Sequence, residues 1–166
     1  MDRRTALLAI AGVVPFAGSA VAQIGLAGPG EYRTTALMDG LFAIQTSQIA
    51  LERSRNPNIR DFAQLEIAEQ TGIAASLGTR PGGLPLRPDQ AAIVQQLGSI
   101  PPGPQFDAMY VRGQIAGHDE LLALNTAALQ RGGGDPLILA VANVAVPSIQ
   151  THLQILQRLE RMRGRA

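Results

Sequence analysis

Apolar residues recur every three or four positions along most of this chain, the spacing of amphipathic helices. The first long run covers about residues 31–54. It breaks at Ser54 to Asn58, where Asn56 suits a helix cap and Pro57 a first helical turn. The second run, about 57–77, stops at Gly78. A stretch dense in proline and glycine follows. A short helical pattern at about 88–97 and a second breaker, Gly98 to Pro104, come next. The third long run covers about 105–130. Asp135 then caps the fourth, Pro136 opens it, and it continues to about 162 with Pro147 inside it as an expected kink. No segment alternates as a half-buried strand does.

The connections imply the architecture. The first and second long helices are joined tightly and should lie antiparallel, and so should the third and fourth. The segment Thr79–Gly103 between the pairs can run back along a helix about 30 Å long. The expected fold is therefore all-α. It is a ferritin-like four-helix bundle with one long crossover carrying a short extra helix, occupying residues 31–163.

The N-terminus reads differently. Arg3 and Arg4 precede an apolar run from Ala6 to about Gly18, and small residues follow at Ala20-Val21-Ala22. This is the layout of a secretory signal peptide over residues 1–22, with 23–30 as a flexible glycine-rich segment after cleavage. The arginine pair permits twin-arginine as well as general export. The expected location is the periplasm or cell envelope, with no transmembrane helix after cleavage.

Composition narrows the partners. The chain has 14 arginines and lysines together, all of them arginine, against 13 acids, and no tryptophan. A near-neutral chain with few aromatics lacks the basic face and stacking platforms of a nucleic-acid binder. With no cysteine there is no disulfide, no thiol nucleophile and no thiolate ligand. Arg158, Arg161, Arg163 and Arg165 cluster at the end of the last helix, where the macrodipole favours them as solvated charges.

Helical projection puts polar residues inside the apolar arcs. Gln45 and Gln48 fall among Leu37, Leu41, Phe42 and Ile44. Glu66 and Gln70 fall among Ile59, Phe62, Ile73 and Leu77. Gln114, His118 and Asn125 line the third helix, and Ser148 and His152 lie beside Val141, Val144, Ile155 and Leu156 on the fourth. Unpaired burial would cost each group about 2–7 kcal/mol, so they must meet one another, water or a metal.

A di-iron bundle requires an acid three residues before each histidine. Ile115 and Ile149 stand there instead, so that motif is absent. His118, His152 and Glu66 remain as a candidate mononuclear set, with Glu52 at the edge of its arc. The plainer expectation is two neutral core histidines paired with Gln70, Glu66 or Asn125, and no cofactor. A histidine pair beside one glutamate also suits a proton switch. Phosphate-loop and Gly-x-Ser-x-Gly patterns are absent, and Ser148 before His152 lacks an orienting acid.

Three stretches, "ALERSRNPNIRDFAQLEIAEQT", "FDAMYVRGQIAGHDELL" and "VAVPSIQTHLQIL", resemble a group of secreted bacterial proteins of unknown function. That group is ferritin-like and often labelled outer-membrane. The resemblance spans Tyr32 to Leu159. It rests on Phe106-Asp107 with His118, on Pro147 with His152, and on Asn56-Pro57. Two departures stand out against the group's pattern. Glu69-Gln70 replaces an Asp-His pair, and Gln45 or Ala43 stands where a glutamate is common. No strand pattern supports an outer-membrane barrel.

The expected role is that of an exported, non-enzymatic envelope or stress-related protein. The alternatives are a metal-binding or metal-dependent redox protein using His118, His152 and Glu66, and a partner-binding module using Ile93, Val94 and Leu97 on the crossover helix.

Overall fold

The computed structural model describes residues 28–131 and 134–163. The expected signal peptide, residues 1–22, lies outside them. The described residues form five helices and no strand: α1 (Pro29–Arg53), α2 (Pro57–Ser76), α3 (Pro88–Ser99), α4 (Pro104–Arg131) and α5 (Pro136–Arg163). Each begins with proline, whose fixed φ suits a first turn and whose missing N–H has no intrahelical partner there anyway. Helix α1 therefore starts inside the segment expected to be flexible. Asn56 caps α2 by accepting from the Asn58 N–H at 3.0 Å, and Asp135 caps α5 by accepting from Leu137 at 2.9 Å. Gly78 ends α2 at a φ of 81°, a left-handed position where a side chain would be strained.

Hydrogen bonds between helix ends fix the directions. At one end, Arg33 near the start of α1 donates to the Leu77 carbonyl after α2 and to Asp135 before α5. At the other, Ser54 after α1 donates to Asp107 in the first turn of α4, and Arg53 donates to Ile100. Thus α1 and α5 run one way, and α2 and α4 the other. The crossover returns the chain from the end of α2 to the start of α4. The four long helices pack around a shared interior, and α3 lies on α1 and α4.

Two expected faces each contain an exposed member. Gln48 is exposed and Gln45 only half-buried, while Leu41, Phe42 and Ile44 of the expected arc are buried together with the small residues Ala36, Gly40, Ala43, Ser47 and Ala50. On α5 the expected His152 and Leu156 are buried, joined by Ile138, Ala142, Ala145, Ile149 and Leu153, while Val144 is 73% exposed. The strip expected on the crossover helix is also not open. Leu97 is buried in the core and Ile93 packs against it. By length and composition Pro136–Met162 is apolar enough to cross a membrane. Its inner face is nonetheless part of the core.

One polar cluster ties the crossover down. Asp39 on α1 is buried. Its Oδ1 accepts from Gln90 at 2.7 Å and from the Arg87 guanidinium, which also donates to Glu120 of α4 at 2.7 Å. Glu120 is thus a partner in this tie rather than a free surface charge. Asp39 Oδ2 has no partner. Burial pushes the Asp39 carboxyl up to about 6, against the pull of Arg87.

A carboxyl raised in the folded state contributes stability that is complete below its unfolded value near 3.8 and lost as pH rises through about 6. Asp39→Asn keeps the Oδ1 acceptor and removes the charge. It is expected to hold or raise stability at pH 7 and to erase a dependence on the order of 2–3 kcal/mol between pH 4 and 7. Urea unfolding across that range reads the effect. An unchanged pH profile in the variant would refute it.

Candidate metal centre

Helical spacing of three and four puts Ile59, Phe62, Glu66, Gln70 and Ala74 on one buried face of α2. Val111, Gln114, His118, Leu121 and Asn125 share a face of α4 in the same way. On α5, His152 lies among Ile149, Leu153 and Leu156. These three faces meet, so Glu66, His118 and His152 converge in the interior. Glu66 is 0% and His118 1% exposed, and Phe62 packs against both imidazoles with ring centroids 5.9 and 5.5 Å away.

The donor atoms form a small triangle. Glu66 Oε2 lies 2.8 Å from His118 Nε2 and 3.9 Å from His152 Nδ1, and the two ring nitrogens are 3.2 Å apart. The point equidistant from all three is about 2 Å from each, which matches the roughly 2.0–2.2 Å of zinc–nitrogen and zinc–oxygen bonds. Among the described residues this group of one carboxylate and two imidazoles has the composition and spacing to hold a metal ion.

The outer contacts decide where the protons sit. His118 Nδ1 is 2.7 Å from the Gln114 carbonyl, which only accepts, so Nδ1 carries the hydrogen. The Nε2 of a neutral His118 then turns a lone pair inward. His152 Nε2 lies 3.5 Å from Glu69 Oε2, and its Nδ1 lies toward His118 and Glu66. Glu66 Oε1 accepts from the Gln70 amide at 3.1 Å, while Oε2 receives no directed hydrogen bond. Two ring nitrogens and a carboxylate oxygen thus surround one buried point, where a positive charge would be favoured.

The titration behaviour follows. Burial raises the Glu66 carboxyl, but the adjacent His118 ring and the Gln70 amide outweigh it, so Glu66 ends below its ordinary value. Burial lowers His118, but Glu66 and the Gln114 carbonyl outweigh it, so His118 ends above its ordinary value.

The remaining residues of the expected polar network divide. Gln70 braces Glu66, and its Oε1 lies close to Gly40, where a Cβ would come within 2.9 Å and make the amide shift. Gln114 supplies its carbonyl to His118 and its amide to Thr46 at 2.9 Å. Asn125 lies apart from the triangle, bonded to Tyr32 at 2.7 Å. Gln45 and Gln48 take no part in it, and Glu52 is exposed. Glu69 is the participant left unassigned by sequence reasoning, and Ser148, expected beside His152, bonds to it. Ser148 Oγ donates to Glu69 Oε2 at 2.8 Å, and Glu69 in turn faces His152. The available signals were Glu69 three residues after Glu66 and Ser148 four before His152.

A crystal structure of a DUF305 fragment from Deinococcus radiodurans aligns over 84% of this chain and 99% of that one, with a TM-score of 0.61 and 21% identity. At that identity the likeness is one of fold. No curated protein matches the chain. The family that does match is described neither as ferritin-like nor as outer-membrane. Residues 25–159 fit the profile of a domain of unknown function, DUF4142, and the chain belongs to that family.

Proposed function

We propose that this chain is an exported, non-enzymatic protein of ferritin-like bundle arrangement whose buried triangle holds one divalent transition-metal ion. One observation carries the metal reading. Two ring nitrogens and a carboxylate oxygen lie within 3.9 Å of one another around one buried point, and a single linear hydrogen bond joins only two of them. A proton shared by His118 and His152 leaves Glu66 Oε2 without a donor, and one shared by His118 and Glu66 leaves His152 Nδ1 without one. A metal ion serves all three. Two imidazoles and a carboxylate, with no thiolate, suit a zinc-class ion rather than calcium, magnesium or copper(I).

The outer contacts match those of metal ligands. One histidine donates to a backbone carbonyl and the other faces a carboxylate, and the ligating glutamate is itself hydrogen-bonded. Complete burial leaves no approach for a substrate, which favours holding a metal over turning one over.

Metal-depleted protein titrated with zinc and cobalt(II) tests this. One equivalent is expected to bind, with the visible band of a low-coordinate cobalt site, and both His118→Ala and His152→Ala are expected to lose it. If no ion binds at micromolar concentration and the histidines titrate as a proton-sharing pair, the metal reading is wrong.

A further inference from the structure

The triangle is sealed, so an ion needs a way in, and one neighbouring side chain reaches both the site and the solvent. Glu66 and Glu69 are three residues apart and therefore share one side of α2. Glu66 points into the interior, whereas the Glu69 side chain is 22% exposed at the seam between α2 and α5. His152 stands between the two carboxylates, with Nδ1 toward Glu66 and Nε2 toward Glu69. A hydroxyl holds the outer carboxylate, since Ser148 Oγ donates to the same Oε2 that faces His152.

The helix behind this contact is missing a rung. Pro147 has no N–H, so it cannot bond the carbonyl four residues earlier, at Asn143, and α5 is locally free of that tie one residue before Ser148. The seam thus combines a solvent-touching carboxylate, a hydroxyl that holds it and a helix turn that lacks one backbone bond.

We infer that Glu69 is the gateway of the site. It captures the hydrated cation at the α2–α5 seam and passes it inward past His152, and Ser148 holds it in the closed position. This rests on the metal reading. It adds a kinetic role that a bystander carboxylate would not have. A carboxylate that only steadied the His152 ring would, on removal, speed release and leave association alone. A gateway carboxylate, on removal, slows passage in both directions.

Stopped-flow mixing of the metal-free full chain with zinc, and release of the ion to an excess of chelator, separate these cases. Glu69→Gln is expected to slow association at least about tenfold and to slow release as well. Ser148→Ala frees the carboxylate and should speed association a few-fold. Asp61→Asn removes an exposed charge from the same helix and should leave both rates within about twofold. Zinc stoichiometry of each variant, read at equilibrium, confirms that the site itself is intact.

The gateway is refuted if Glu69→Gln binds at the wild-type rate and merely releases faster. It is equally refuted if Asp61→Asn slows association as much as Glu69→Gln does. If the wild-type chain binds no ion, the metal reading and the gateway fall together. If the wild type binds and Glu69→Gln associates normally, the gateway alone falls.

Discussion

Zinc added to about a thousandfold excess over its dissociation constant is expected to raise the unfolding midpoint of the metal-free protein by roughly 10 °C. Binding at that excess adds about 4 kcal/mol to the folded state, and each kcal/mol moves the midpoint of a domain this size by a few degrees. The effect requires all three ligands, so His118→Ala and His152→Ala should show no shift, and calcium should produce none in the wild type. The shift should also grow with pH. His118 is held above its ordinary value by Glu66, so at low pH the ion must displace a proton. Apparent affinity should therefore rise by up to tenfold per pH unit until that proton is gone. Scanning calorimetry with and without zinc, from pH 5.5 to 8, reads both results. An equal shift in His118→Ala would mean that the ion stabilises the fold from somewhere else.

Glu66→Ala should be the costliest single change in the metal-free protein, at about 3–5 kcal/mol near pH 6, because it leaves a buried charge partner and an amide unpaired. The carboxylate faces His118 Nε2 and accepts from Gln70, and all three groups are buried. The sign with pH follows from the two shifts. Glu66 lies below its ordinary 4.5, so its contribution is present above 4.5 and lost as pH falls through its folded value. His118 lies above its ordinary 6.5, so its contribution is present below 6.5 and lost as pH rises through its folded value. The pair is therefore fully effective between about pH 4.5 and 6.5. The difference between wild type and Glu66→Ala should be largest there and shrink on either side. Denaturant unfolding from pH 3 to 9 tests this, and a loss below about 1 kcal/mol with parallel pH profiles would overturn it.

Much of the fold was legible because its punctuation is local. Asn56, Pro57, Gly78, Asp135 and Pro136 act within a turn of themselves, so the breaks between helices could be read without knowing what packs on what. The convergence of His118, His152 and Glu66 was legible for a related reason. Each is the polar member of an apolar arc, and arcs of neighbouring helices must face one another.

What stayed hidden was relational. The tie of Asp39 to Arg87, Gln90 and Glu120 joins three helices across long stretches of chain, and no local pattern announces it. The face of α1 was drawn from its large apolar residues, of which Leu41, Phe42 and Ile44 are buried, but the small buried residues beside them, Ala43, Ser47 and Ala50, carry no hydrophobic signal, and Gln48 lies outside. Glu69 looked like a departure from a family pattern. Its significance appears only with Ser148 and His152 beside it. The matched family has no described activity to supply what the residues leave open.

Glu66, His118 and His152 come from three different helices, and the crossover separates the first from the other two. An ion bound to them would join distant parts of a chain that has no cysteine and so no covalent cross-link. A permanent link between positions 66 and 118 would remove about 4 kcal/mol of freedom from the unfolded chain, on the scale of a disulfide closing a loop of that length. The difference is reversibility. A disulfide answers to the redox state of its surroundings, whereas this link would answer to pH and to the supply of metal, so the same chain would be stapled in one environment and unstapled in another.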